Sequence, residues 1–438
     1  MIRMQGLKAR HHVPLLLLLG VAVVVLSMVG SRGAALRAQP ATAACNKIAV
    51  PETLQGLVDG AAAGDVICMA PGVYRGPVLF QNKHGVTLRG SGTHVSIVAG
   101  GDKDSLLVFE SSDLTFEDFT LYYGHPSNAY VSHSQNVVFN RMDVGGGGLG
   151  IHYDVNSIGV INDSFVYAMD GDGILIRRGS NASVQRNWVF KNGGVGVSTV
   201  GETANTAITR NIISDNEGPG VFAGQTPCAL LPPGFVEVPE CYLVNLQAFV
   251  GAANIILDTN VIQSSNSTGI VMFPGTHGTF RNNHIWRNHL SGLFVWGAQI
   301  SSDNDEYNAN DEHAIEFRAY PDPLKYGQVG RAFPVRAVGT INGADIHDTV
   351  VLPETGTLGG GGLAQGANLD VSNSRIYRNR GIGVSYVNTS LGTISRNEIH
   401  DNRGSAICIF KAGNVTANGN SIRDNSVDDV GVCDETTP

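Results

Sequence analysis

Two groups of side chains in this sequence have the composition of a reaction centre. In the first, His152 and Asp154 alternate on one short apolar run, and Arg177 and Arg178 follow one strand later. A carboxylate, an imidazole and a guanidinium held within a strand or two of each other can act as acid, base and carboxylate clamp. On an open surface the same residues form an ordinary ion pair of little energetic consequence. The second group is Glu316 with Arg318, and His313 nearby. His152, Asp154, Arg177, Glu316 and Arg318 are therefore the candidate catalytic residues. Arg178, Phe294 and Trp296 are the candidate substrate contacts, the two rings as surfaces on which a sugar can stack. Asp170-Gly171-Asp172-Gly173 sets two carboxylates in one turn, so Asp170 and Asp172 could hold a calcium ion, although Asp-Gly is also common turn chemistry. His277, His284 and His289 lack the helical spacing of a zinc site.

Such groups matter only if the chain sets them side by side, and a repeat does so. Aligned on an Asn-x-apolar triplet, the phrase recurs at Asn140, Ser164, Asn187 and Asn211. It recurs again at Asn260, Asn283 and a degenerate Asp305, and then at Ser374, Asn397 and Asn420. Within each block the step is 22 to 24 residues. Each copy holds two short runs rich in Val and Ile, split by Asn, Asp and Gly. Runs of this length bounded by turn residues read as strands. Asn and Gly suit the tight corners because they tolerate positive φ. An Asn at the same corner of successive copies can stack as a hydrogen-bonded ladder. A period of this size means a solenoid of parallel strands.

Alternation along the strand that follows each Gly-x-Gly corner gives a register. It turns His152 with Asp154, Leu175 with Arg177, Ser198 with Val200, and Phe222 with Gly224 outward. The same count turns out Val271 with Phe273, Phe294 with Trp296, Glu316 with Arg318, Ser385 with Val387, and Cys408 with Phe410. Arg177 then lies one coil above Asp154. Phe222, Phe273, Phe294 and Trp296 make an aromatic strip, open to a sugar or covered by an insertion.

The repeat resembles the right-handed parallel β-helix of the pectate lyase-like superfamily over most of residues 50–430. The resemblance implies an all-β solenoid of about 10–12 coils. Residues 51–58 read as a short helix, and a helix capping the first coil at this point is similar to the start of many such domains. It implies no catalytic residue: the Asp-Pro-His-Asp signature of mannuronan epimerases is absent. The ordered Asn-Thr-Asp, Asp-Asp and Gly-His-Gly motifs of polygalacturonases are also missing.

The repeat breaks at 225–250, 319–335 and 353–366, which read as insertions on the scaffold, where binding and catalysis tend to sit. Domain organisation follows: 1–40 as a signal peptide or N-terminal membrane anchor, 41–85 as cap and first coil, 86–433 as the solenoid, and 434–438 as a tail. An apolar block over 13–30 after Lys8 and Arg10 carries the first of these assignments. A signal peptide implies a secreted, periplasmic or cell-surface protein, in contact with a membrane only if that segment stays uncleaved.

With 42% apolar and 15% charged residues and 55 glycines in 438, the chain is a Gly-punctuated β protein with a large core. The first 40 residues hold five Lys and Arg and no acid. The remainder carries 24 basic against 38 acidic side chains, which excludes a nucleic-acid partner and makes any polyanionic ligand depend on a local basic patch. Six cysteines fall into local pairs, Cys45 with Cys68, Cys228 with Cys241 and Cys408 with Cys433, and export favours disulfides. The expected function is action on, or binding of, an extracellular polysaccharide by a monomer, by lyase, epimerase or hydrolase chemistry. A non-catalytic surface or envelope β-helix is the alternative.

Overall fold

A computed structural model describes residues 44–201, 206–224, 254–319, 336–350 and 360–432. The chain winds into a solenoid in which each full coil contributes one strand to each of three parallel sheets. Asn181–Gln185, Trp188–Phe190 and Val197–Val200 are one such coil. The first sheet has 15 strands, from Lys47–Ala49 to Val415–Asn418. The solenoid has about 14 turns, more than the sequence count. The additional coils lie where the Asn phrase is eroded, upstream of residue 140.

Apolar residues form these strands because identical positions stack from coil to coil. Val184 pairs with Ile161 and Ile208, Val189 with Val166 and Ile213, and Val197 with Ile174 and Val221. All nine are buried. Burying each such side chain contributes about 1.5–3 kcal/mol. Two neighbouring strands, Thr120–Ser132 and Asp143–Asp154, run through both the second and third sheets.

The corners are closed by the expected ladder. Asn187 Nδ2 donates to Asn211 Oδ1 at 3.1 Å, Asn211 to Asn260 at 3.0 Å, Asn260 to Asn283 at 2.9 Å, and Asn283 to Asp305 at 2.9 Å. A second ladder, not expected, stands five residues later: Asn192 to Asn216 at 2.9 Å, Asn288 to Asn310 at 3.0 Å, and Asn379 to Asn402 at 2.9 Å. Positive φ does not fall on these asparagines. It falls on the residue before, as in Arg186 (55°), Arg210 (57°) and Arg396 (57°). The asparagine is fixed by its ladder bonds, so its neighbour takes the left-handed turn at a cost of about 1 kcal/mol.

The N-terminal cap is α1, Leu54–Asp59, which buries Leu54 and Val58 in the first coil. Cys45 and Cys68 form the expected disulfide across successive coils. Cys408 is disulfide-bonded, whereas Cys228, Cys241 and Cys433 lie outside the described residues. So do the N-terminal segment and most of the three insertions. The register passes the gaps unbroken, with Val221 pairing with Ile270 and Ile315 with Gly362. The expected third insertion, 353–366, is shorter at its end: Gly362–Gln365 is a regular strand of the third sheet. Glycine-rich sequence hid it, because it lacks the Val and Ile signal of its neighbours. No helix among the described residues is long and apolar enough to cross a membrane.

Candidate functional site

The outer face of the third sheet carries the candidate residues, in the register that alternation implies. His152 pairs with Leu175, and the row continues through Ser198, Phe222, Val271, Phe294 and Glu316. It goes on through Leu363, within the expected third insertion, to Ser385 and Cys408. The parallel row places Arg177 beside Val200, and Trp296 beside Arg318. These side chains alternate with core residues such as Ile151 and Tyr153. Pointing away from the core does not leave them in water, however. His152 is 4% exposed, Asp154 0% and Glu316 2%.

At the first cluster, Asp154 is the hub. The Tyr130 hydroxyl donates to its Oδ2 at 2.8 Å. Arg178 Nε donates to its Oδ1 at 2.6 Å, and Arg178 Nη2 lies close on Oδ2, so that guanidinium grips the carboxylate with two nitrogens. Arg177 Nε reaches Oδ1 at 3.3 Å, and the Val155 N–H donates to the same oxygen at 2.9 Å. Burial alone would raise the Asp154 carboxyl. The Arg178 and Tyr130 hydrogen bonds and the Arg177 charge outweigh it and hold the group well below the usual carboxylate range.

His152 lies over this hub without bonding to it. Its Nε2 is 3.9 Å from Asp154 Oδ2, beyond hydrogen-bond reach, and the Tyr130 ring packs against it edge to face at 5.0 Å. Nε2 is buried and makes no hydrogen bond. Burial, then the Arg177 charge, push the imidazole down to about 4. The ring is therefore neutral at physiological pH, with one unengaged nitrogen beside an arginine pair. A neutral imidazole can accept a proton, and one held this low is a weak acceptor. Burial first, then the Asp154 hydrogen bond, raise Tyr130 and keep it protonated.

The second cluster is separate. Glu316 Oε2 accepts from the Ser291 hydroxyl at 2.8 Å, and Arg318 Nε lies close on Oε1. Arg318 also stands over the Phe294 ring at 5.9 Å. Trp296 donates from Nε1 to the Ala319 carbonyl at 2.9 Å and packs on Phe273 at 5.4 Å. Phe222 meets Phe273 edge-on at 5.2 Å, so the aromatic strip is continuous. Six coils, roughly 29 Å, part His152 from Glu316, so the two clusters do not form one site.

Asp170 is exposed, with Oδ2 3.9 Å from His125 Nε2. Asp172 Oδ1 accepts the Val195 N–H at 2.8 Å, and burial raises its carboxyl. Among the described residues no group of three or more His, Cys, Asp and Glu is arranged to hold a metal ion. Tyr130 is the member of the site that sequence reasoning missed. Its signal was the 22-residue step to His152, one coil, in the region where the repeat phrase is eroded.

The family model described as right handed beta helix region matches residues 104–231 and 335–437, more than half of the chain, and the chain belongs to that family. Among solved structures, the A-module of a mannuronan C-5 epimerase of Azotobacter vinelandii superposes with a TM-score of 0.58 at 17% identity, over 85% of this chain and 94% of the module. A second epimerase A-module from the same organism gives 0.56 at 16% identity, over 88% and 98%. No curated protein matches the sequence.

Proposed function

We propose that this protein is an exported polysaccharide-processing β-helix that takes an acidic glycan on the outer face of its third sheet. One observation carries the reading: a neutral, buried histidine with an unengaged Nε2 stands beside two arginines gathered on a single aspartate. Two guanidiniums converge here on a chain that is otherwise acidic, and a guanidinium is the group that pairs best with a uronate carboxylate. His152 then serves as the base that takes a ring proton, as lyase or epimerase chemistry demands, and protonated Tyr130 is the nearest acid. The two A-modules that share the fold are mannuronan C-5 epimerases, and mannuronan is a polyuronate.

The burial of His152, Ser198 and Glu316 on the same face favours a second reading, in which the face is structural and the protein only binds. A panel of alginate, pectate and neutral glycans separates the two, read by unsaturated-product absorbance, by reducing ends, and by exchange of the sugar C5 proton with deuterated water. The enzyme reading expects turnover of a polyuronate that is lost in His152→Ala. Silence across the panel, with and without calcium, sinks it.

A further inference from the structure

The outer face of the second sheet carries a feature of a different kind. Six rings cluster there over four successive coils, one of which contributes glycine in place of a ring. Phe165 and Trp188 occupy one row, in direct register, with centroids 6.1 Å apart. Tyr167 and Phe190 occupy the next row, stacked at 5.2 Å and 17°, and Trp188 touches Phe190 at 4.6 Å. Tyr122 and Tyr123 extend the strip, 5.4 Å from each other. Between them the second row holds Gly145, which pairs with both Tyr122 and Tyr167. A Cβ on Gly145 would lie 2.8 Å from the Tyr167 ring, and one on Gly146 would lie 3.1 Å from the Tyr123 ring. Glycine therefore floors a cradle that the tyrosines lean over.

Four of the six rings are open, and Tyr167 and Phe190 are half-buried. Tyr123 is 54% exposed, Phe165 46% and Trp188 41%. A contiguous aromatic surface in contact with water marks a binding site more often than a neutral surface. The charges around it say what it would bind. Arg141 is engaged by Asp118 and Glu117, and Arg186 by Asp163. Inside the strip, Asp143 accepts the Tyr167 hydroxyl at 3.1 Å and lies 3.3 Å from His94 Nε2. Lys191, after Phe190, matches the Asp143 carboxylate in number of charges. The strip offers a polyanion no surplus of positive charge. It offers apolar rings on coils stacked at a pitch of about 4.8 Å, with ring centroids 5.2 to 6.1 Å apart and hydrogen-bonding groups at their edge. That pitch is close to the advance of one sugar residue in an extended β-linked chain, whose apolar C–H faces pack on aromatic rings.

We propose that this strip is a docking site for a neutral, extended β-linked polysaccharide, laid along the solenoid axis on a face separate from the His152 cluster. It does not depend on the reading of that cluster, because a chain with no activity at His152 could still hold a glycan here.

The test uses the full chain in affinity electrophoresis through neutral β-glucans, mannan and xylan, with alginate and pectate as charged controls. Retention by a neutral glycan is expected, and the double variant Phe165→Ala/Trp188→Ala is expected to weaken it roughly tenfold or more. Circular dichroism and the melting temperature of the variant are expected to stay near those of the parent, because both side chains lie outside the core. Trp188→Phe keeps a ring in place and is expected to retain binding while losing most of the glycan-induced change in tryptophan fluorescence. The proposal fails if no neutral glycan retards the parent chain. It fails equally if the double variant binds as the parent does, or if sedimentation shows a dimer that the double variant dissolves. Turnover of polyuronate, read separately, is expected to be unchanged in the double variant.

Discussion

Two outer faces of one solenoid share pitch, strand direction and alternation, yet they differ in every property that bears on function. The third-sheet face gathers Tyr130, His152, Asp154, Arg177 and Arg178 into a buried polar knot. The second-sheet face spreads Phe165, Trp188, Tyr122 and Tyr123 into water, with its bordering arginines engaged by carboxylates. The backbone supplies both with equal rows, so the difference lies in the side chains and in what covers them. A repeat fold specifies where groups stand and leaves open what they do.

The comparison breaks first at Asp154. Asp154→Ala would leave two guanidiniums and the Tyr130 hydroxyl around a vanished acceptor. We expect a loss of about 3 kcal/mol in urea unfolding, far more than a surface ion pair would give. A loss under about 1 kcal/mol would mean that this face is open surface like the other. Next is the frame that both faces share. Asn211 accepts from Asn187 and donates to Asn260, Val184 and Thr209. Asn211→Ala is expected to cost about 2 kcal/mol.

Asp305 offers a gain. Burial raises its carboxyl to about 6 at the end of the first ladder, where Asn283 and Ser302 donate to it. Between pH 4 and 6 the folded state keeps a proton that the unfolded state releases. Stability therefore falls as pH rises through that window. Asp305→Asn is expected to add about 1–2 kcal/mol at pH 7 and nothing at pH 3.5, read by melting temperature at both values.

His152 has the opposite sign. Its folded value of about 4 lies below that of the unfolded chain, so its share of stability is present above pH 6.5 and is lost as pH falls toward 4. If it is the base, kcat/KM on a polyuronate stays flat down to about pH 4–5 and does not decline near 6.5. The smallest effect belongs to the exposed face: Trp188→Ala should change stability by less than about 1 kcal/mol. A larger change would place the aromatic strip among the structural elements.

Most of the fold was legible because a 23-residue step combined with period-2 alternation leaves little freedom. Once Val197 and Val221 point inward, Ser198 and Phe222 must point out. The register held at the described coils that the Asn phrase marked from Ser164 onward, whereas Asn140 pairs with Asn162 and Met142 takes the place level with Ser164. Exposure was not legible, since alternation tells inside from outside and does not tell covered from open. Tyr130 and the upstream coils escaped because Met142 and Phe119 stand there in the asparagine row, and because the long strands Thr120–Ser132 and Asp143–Asp154 run through the usual turn. The second ladder could have been found from Asn192, Asn216, Asn288, Asn310 and Asn402, each five residues after the aligned triplet. The second-sheet strip of Phe165, Tyr167, Trp188 and Phe190 was missed because the expected site drew the count to the third-sheet face.

The asparagine ladder has a consequence for how such a chain changes over time. Asn211 bonds to Asn260 across 49 residues of sequence with the same geometry that joins Asn260 to Asn283 across 23. The bond registers only that one coil lies on the next and is indifferent to how much sequence was spent between them. Mutations that lengthen or trim a segment between two rungs therefore leave the neighbouring coils indexed as before. A lineage of these rods can exchange its loops while the shaft keeps its count, much as pages are added to a binder without moving the holes.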